Sequence, residues 1–134
     1  VRSANSGVQK MSKEFLPFYL SWLDGHAYPE EKFVSEYLYG EREKAKEYIE
    51  ILNPEYDKGY LLIVVVREGD AESLEKFLGK KPKRKYLTSA LCTAALHGNE
   101  ECAELLIRNG ANPEEFHGTT AWEFVSSVVR KMSE

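Results

Sequence analysis

Cysteine is scarce in this sequence: Cys92 and Cys102 are the only two in 134 residues, and no Asn-x-Ser/Thr acceptor occurs. That pattern provides no disulfide framework of the kind small secreted scaffolds use, so a reducing compartment is expected, cytoplasmic, with nuclear as the alternative. Long apolar runs are missing as well. The greasiest stretch, YLLIVVV at 60–66, falls far short of the roughly 18 apolar residues a bilayer-spanning helix needs, and no membrane partner is expected. Also absent are G-x-S-x-G, G-x-x-x-x-G-K-[ST] and H-E-x-x-H, and the four candidate ligands Cys92, His97, Cys102 and His117 show no C-x-x-C or H-x-x-x-H pairing. No catalytic residue, metal or cofactor is therefore assigned. The 22 acidic against 18 basic side chains, with a formal charge of −4, argue against bulk nucleic-acid binding by the whole surface.

What is present is a core-forming share of apolar residues, 43% with 12% aromatic, enough for one folded domain. Against the acidic background one stretch reverses sign. GKKPKRKY at 79–86 carries Lys80, Lys81, Lys83, Arg84 and Lys85, and without those five the chain holds 13 basic against 22 acidic groups. Three readings remain open for it: an import or nucleic-acid patch, a docking surface for an acidic partner, or a solvated loop.

A hidden period organises the rest. Gly40, Gly69 and Gly98 are spaced by 29 residues, and the apolar pattern around each is the same. Phe33, Leu62 and Leu91 stand seven places before the glycines; Ala45, Leu74 and Ala103 stand five places after, Tyr48, Phe77 and Leu106 eight, and Ile49, Leu78 and Ile107 nine. Those offsets lie on one helical face. The expected unit is helix, glycine turn, helix, with each glycine supplying a positive φ and each unit burying its apolar face on its neighbour. The β-branched run at 63–66 is read accordingly as buried helix rather than strand.

The third unit, SALCTAALHGNEECAELLIRNGAN at 89–112, resembles the ankyrin repeat, whose pattern runs T-P-L-H-x-A-A-x-x-G-H and closes on L-L-x-x-G-A-D/N. Leu91, Ala94, Ala95, Gly98, Asn99, Leu105, Leu106, Gly110, Ala111 and Asn112 hold the matching positions. HGTTAWEFV then resembles the start of a further repeat, with Gly118, Thr120 and Trp122 in register. The sequence departs from the family where Ser89 and Ala90 replace Thr-Pro and Cys92 replaces His. The resemblance is clear over about 61–125.

It implies an all-α solenoid of about three ankyrin-like repeats over 33–134, with a partial C-terminal cap in SSVVRKMSE and a bounded domain. An N-terminal helical cap is expected over 11–32, where Pro17 opens a helix and Phe15, Phe18, Tyr19 and Trp22 cover the end of the stack; residues 1–10 are expected to be a flexible tail left by processing.

In function it implies a monomeric, non-catalytic module that binds another protein through loop fingers and the exposed face of each first helix. Carried onto this chain, the contact residues are Lys83, Arg84, Lys85 and Tyr86 in one finger, Glu115, Phe116 and His117 beside Glu114 in the next, and Thr93 and Phe124 on helices. A basic finger beside an acidic one fixes the register of a partner bearing an acidic patch. Alternatives are localisation or nucleic-acid contact through KKPKRK, and an inhibitor that occludes a partner enzyme.

Overall fold

Each glycine turn at Gly69 and Gly98 closes with the same pair of backbone hydrogen bonds. Asp70 N–H donates to the Val65 carbonyl and Gly69 N–H to that of Val66, both at 2.9 Å; 29 residues later Asn99 N–H donates to Ala94 at 2.9 Å and Gly98 N–H to Ala95 at 3.3 Å. This double closure requires a left-handed residue, and Gly69 and Gly98 have φ of 71° and 67°. A methyl group at Gly98 would meet nothing within 4 Å, so Gly98→Ala isolates the backbone cost of the left-handed conformation. It should lower stability by about 1–2 kcal/mol in a denaturant titration, with Gly98→Asn costing less.

A computed structural model of the chain describes residues 28–134. The expected tail at 1–10, and the expected cap at 11–32 apart from its last five residues, lie outside the described residues. Among the described residues every element is helical. The helices are α1 (Pro29–Tyr39), α2 (Arg42–Lys46), α3 (Tyr56–Arg67), α4 (Ala71–Leu78), α5 (Arg84–His97), α6 (Glu100–Arg108) and α7 (Trp122–Met132), with 3-10 turns at Ile49–Ile51 and Pro113–Phe116. The chain divides into two compact bodies, one ending at Asn53 and one formed by Pro54–Glu134.

In the first body Pro29 opens α1 with Glu30 and Glu31 in its first turn, where acidic groups suit the helix dipole. Phe33 and Tyr37 stack at 5.2 Å, and the Arg42 guanidinium lies 4.4 Å from the Tyr37 ring centre. The turn at Gly40 departs from expectation. Its φ is −119°, not positive, because the buried Glu36 side chain supplies the acceptor that a backbone carbonyl supplies at the other two turns. Glu36 Oε1 accepts from Glu41 N–H at 2.9 Å, and a methyl group on Gly40 would collide with that carboxylate. Gly40 is there for space, not for handedness.

In the second body the pairs α3–α4 and α5–α6 lie side by side, first helix on first helix and second on second, with the densest packing between α3 and α5. Leu62, Leu74, Phe77, Leu91, Ala103 and Leu106 are all fully buried between them, so most of the 29-residue period marks the core, while Ile107, expected with them, is only half-buried. YLLIVVV is helical throughout. Asn99 ties the two repeats: its side-chain amide donates to the Val66 carbonyl at 2.6 Å. The last helix breaks the pattern by packing chiefly on α6, which leaves one flank of α5 to the 3-10 turn and the loop after it.

Candidate functional site: a groove beside helix α5

The expected basic finger is mostly helix. Residues 84–86 form the first turn of α5 and Lys83 is its N-cap, whose backbone N–H donates to the Glu55 carboxylate at 2.7 Å. The physical reason lies at Ala90. An ankyrin repeat has proline there, and proline favours the first turn of a helix; without it α5 runs back to Arg84 and absorbs residues expected in the loop. What remains at 79–83 is a tight turn in which Lys81 is left-handed (φ 55°) and Pro82 is buried. KKPKRK is therefore not an extended segment, which weighs against its being read as a linear import signal.

Within α5 the residues divide cleanly. Leu87, Ala90, Leu91 and Ala94 face the core, while Lys85, Ser89, Cys92 and Leu96 recur at four, three and four places along the opposite face. These four, with Thr88, form one wall of a groove of about 480 Å³; Glu115, Phe116, Thr119, Thr120 and Ala121 form the other. Leu96 is 72% exposed, an apolar side chain in water at the mouth of this groove.

Hydrogen bonds hold the second wall in place. Thr88 Oγ1 donates to the Arg84 carbonyl at 3.0 Å and accepts from Asn112 N–H at 2.9 Å, pinning the chain where the 3-10 turn begins. Asn112 Oδ1 then accepts from Glu114 N–H at 3.1 Å. Thr119 Oγ1 donates to the Phe116 carbonyl at 2.7 Å and accepts from Ala121 N–H at 3.2 Å. Outside the loop the His117 ring lies 3.8 Å from that of Trp122, with Nε2 2.7 Å from Glu114 Oε1.

Of the residues expected to make contact, the groove gathers Lys85, Glu115 and Phe116. Phe116 is not displayed on a finger tip: only 8% of its surface is exposed, because the 3-10 turn rolls its ring inward. Lys83 and Arg84 are exposed at the N-terminal end of α5, and neither they nor Lys85 forms an ion pair among the described residues. Tyr86 is half-buried against Gly59, with Lys85 Nζ 5.1 Å from its ring centre. Thr93 and Phe124 are half-buried and His117 is exposed, none of them lining the groove. Ser89, Cys92, Leu96, Thr119, Thr120 and Ala121 went unforeseen. The signal for Thr119, Thr120 and Ala121 is weak, but Ser89, Cys92 and Leu96 are accessible from the register, since all three lie opposite the Leu87–Leu91–Ala94 face.

The two cysteines differ in setting. Cys102 is buried, and that burial, with Glu101 and then Asp70 nearby, pushes its thiol up to about 11 from an ordinary 9.0. The native state keeps a proton that the unfolded chain releases near pH 9, so the contribution is constant below that point and is lost as pH rises to about 11. Relative to Cys102→Ala, the wild type should lose up to about 3 kcal/mol across that interval in paired denaturant titrations. At neutral pH a thiol reagent should label half-exposed Cys92 and spare Cys102.

Among the described residues no group of three or more His, Cys, Asp or Glu side chains is placed to hold a metal ion, and no helix is long and apolar enough to cross a membrane. Residues 87–116 match the model of the Ankyrin repeat family, a span that takes in most of α5, all of α6 and the 3-10 turn. No curated protein and no solved structure matches the chain. Ankyrin repeats generally mediate protein–protein interaction and are typically non-catalytic. Through this helix–turn–helix unit and its match, residues 87–116 are an ankyrin repeat, set within an all-helical, ankyrin-like fold.

Proposed function

We propose that the chain is a non-catalytic protein-binding module, and that a partner protein docks in the groove between α5 and the 113–121 segment with acidic residues set against Lys83, Arg84 and Lys85. The observation that carries this reading is Leu96, 72% exposed on a wall it shares with Cys92 and facing a second wall that contains Phe116. An apolar side chain held in water beside a preformed hollow gains stability once a partner covers it. The three cations at the end of the same helix, which form no ion pair among the described residues, add steering and select against basic partners. An enzyme inhibited by occlusion is one form such a partner takes.

The test is affinity capture with wild-type chain and Leu96→Glu in parallel. Leu96→Glu should leave the helical circular-dichroism signal and its melting temperature within error, because the site is on the surface, while cutting recovery of specific partners at least tenfold. Identical sets of captured proteins from the two chains would remove the groove from consideration.

A further inference from the structure

Resting on that docking reading, we infer that the partner's contact is an extended peptide segment with an acidic residue about five positions from a large aliphatic or aromatic one. Lys85 and Leu96 lie on one face of α5, separated by eleven residues, which at the helical rise is about 16 Å. An extended chain advances roughly 3.3 Å per residue, so five residues bridge the two. The acidic end is fixed by charge: Lys83, Arg84 and Lys85 have no ion-pair partner among the described residues, the first turn of α5 contains no acidic side chain, and the Glu55 carboxylate at that end is held by the Lys83 backbone N–H, leaving a surplus of three cations over one anion. The apolar end is fixed by Leu96 and Cys92.

Between these ends the groove offers the hydroxyls of Ser89 and Thr120, the Thr119 hydroxyl being engaged with Phe116 and Ala121. An extended peptide brings unpaired backbone N–H and C=O groups that hydroxyls satisfy; a helix has already paired its own. A partner helix laid along the same wall would need its acidic and apolar anchors about eleven residues apart. Glu115 lines the opposite wall, with Oε2 3.5 Å from the Asn112 side-chain amide. Its charge disfavours a second acidic residue inside the groove and confines the acidic position to the Lys83–Lys85 end.

A random dodecapeptide display library panned against the immobilised full chain tests this, with Leu96→Glu and Lys85→Glu panned alongside. Selected peptides should place Asp or Glu four to six positions from Leu, Ile, Met or Phe. Their recovery should fall at least tenfold on Leu96→Glu, and on Lys85→Glu the acidic preference should weaken or invert. Anchors ten to twelve positions apart, no fixed spacing, an acidic preference unchanged by Lys85→Glu, or no selection above the Leu96→Glu background would each overturn the inference. Failure of the docking reading is seen separately: whole proteins captured equally by wild type and Leu96→Glu sink that reading, whereas Leu96-dependent capture of a whole protein with no peptide selected sinks only the extended-peptide inference.

Discussion

Leu91→Ala should lower the unfolding free energy by about 2–5 kcal/mol, whereas Leu96→Ala, five residues further along the same helix, should change it by no more than about 0.5 kcal/mol. The substitutions remove the same atoms. What differs is where those atoms are: Leu91 has no exposed surface and Leu96 is 72% exposed. Removing the Leu91 side chain leaves a hollow among helices that sit at close-packed density, and the loss is the transfer energy of the buried methyl groups plus that of the unfilled space. With a total stability on the order of 5–15 kcal/mol for a domain, this is a sizeable share. Chemical denaturation of both variants at one temperature measures the contrast. A Leu96→Ala loss close to that of Leu91→Ala would mean that Leu96 is a core residue, and the groove would lose its apolar anchor.

The second expectation is that stability and binding will move in opposite directions. Replacing Lys83, Arg84 and Lys85 together with glutamate should raise the melting temperature while weakening the partner on the order of 100-fold. Cations at a helix N-terminus oppose the dipole, and the first turn of α5 has no acidic residue. The Glu55 carboxylate on the Lys83 N–H is an acidic group at that end, and its repulsion of the new glutamates takes back part of the gain. Reversing each sign there contributes about 0.3–1 kcal/mol in favour of the helix, and a gain of 1 kcal/mol moves the melting point of a domain this size by about 3–4 °C. The same reversal turns attraction for an acidic partner into repulsion, with an effect that shrinks as salt is added. Thermal melts and salt-dependent titrations against the captured partner check both halves. A triple variant that melts lower, or binds as well as wild type, would leave the three cations without the role argued for them. An arrangement that weakens its own helix is the kind of local conflict that folded proteins tolerate where a surface is used.

Much of the fold is legible in the sequence, because the 29-residue period rests on burial. Leu62, Leu74, Phe77, Leu91 and Leu106 have to be inside for the helix pairs to close, and each is. The turns were legible in part. Gly69 and Gly98 obey the backbone rule for left-handed closure, whereas at Gly40 the buried Glu36 side chain does the same job by another route, and nothing local to a glycine announces a side-chain acceptor four residues back. The site was harder to read. The finger expected at 83–86 depended on a helix starting near residue 90, and the missing proline let α5 begin at Arg84. Phe116 falls on a finger by the repeat register, yet a short 3-10 turn buries it. The wall formed by Ser89, Cys92 and Leu96 follows from the core face of α5 read from its far side, but the groove itself depends on α7 leaning toward α6, which is a matter of tertiary packing with no motif of its own.

The bond from the Asn99 amide to the Val66 carbonyl has a bearing on how lengths can vary in this chain. It spans 33 residues and joins two turns, so an extra residue between them is best accommodated at 79–81, where the backbone is irregular and exposed, ahead of buried Pro82. An insertion within α5 would instead rotate Asn99 by about 100° and swing its amide away from its acceptor. Length polymorphism is therefore permitted at the joint and forbidden along the rungs.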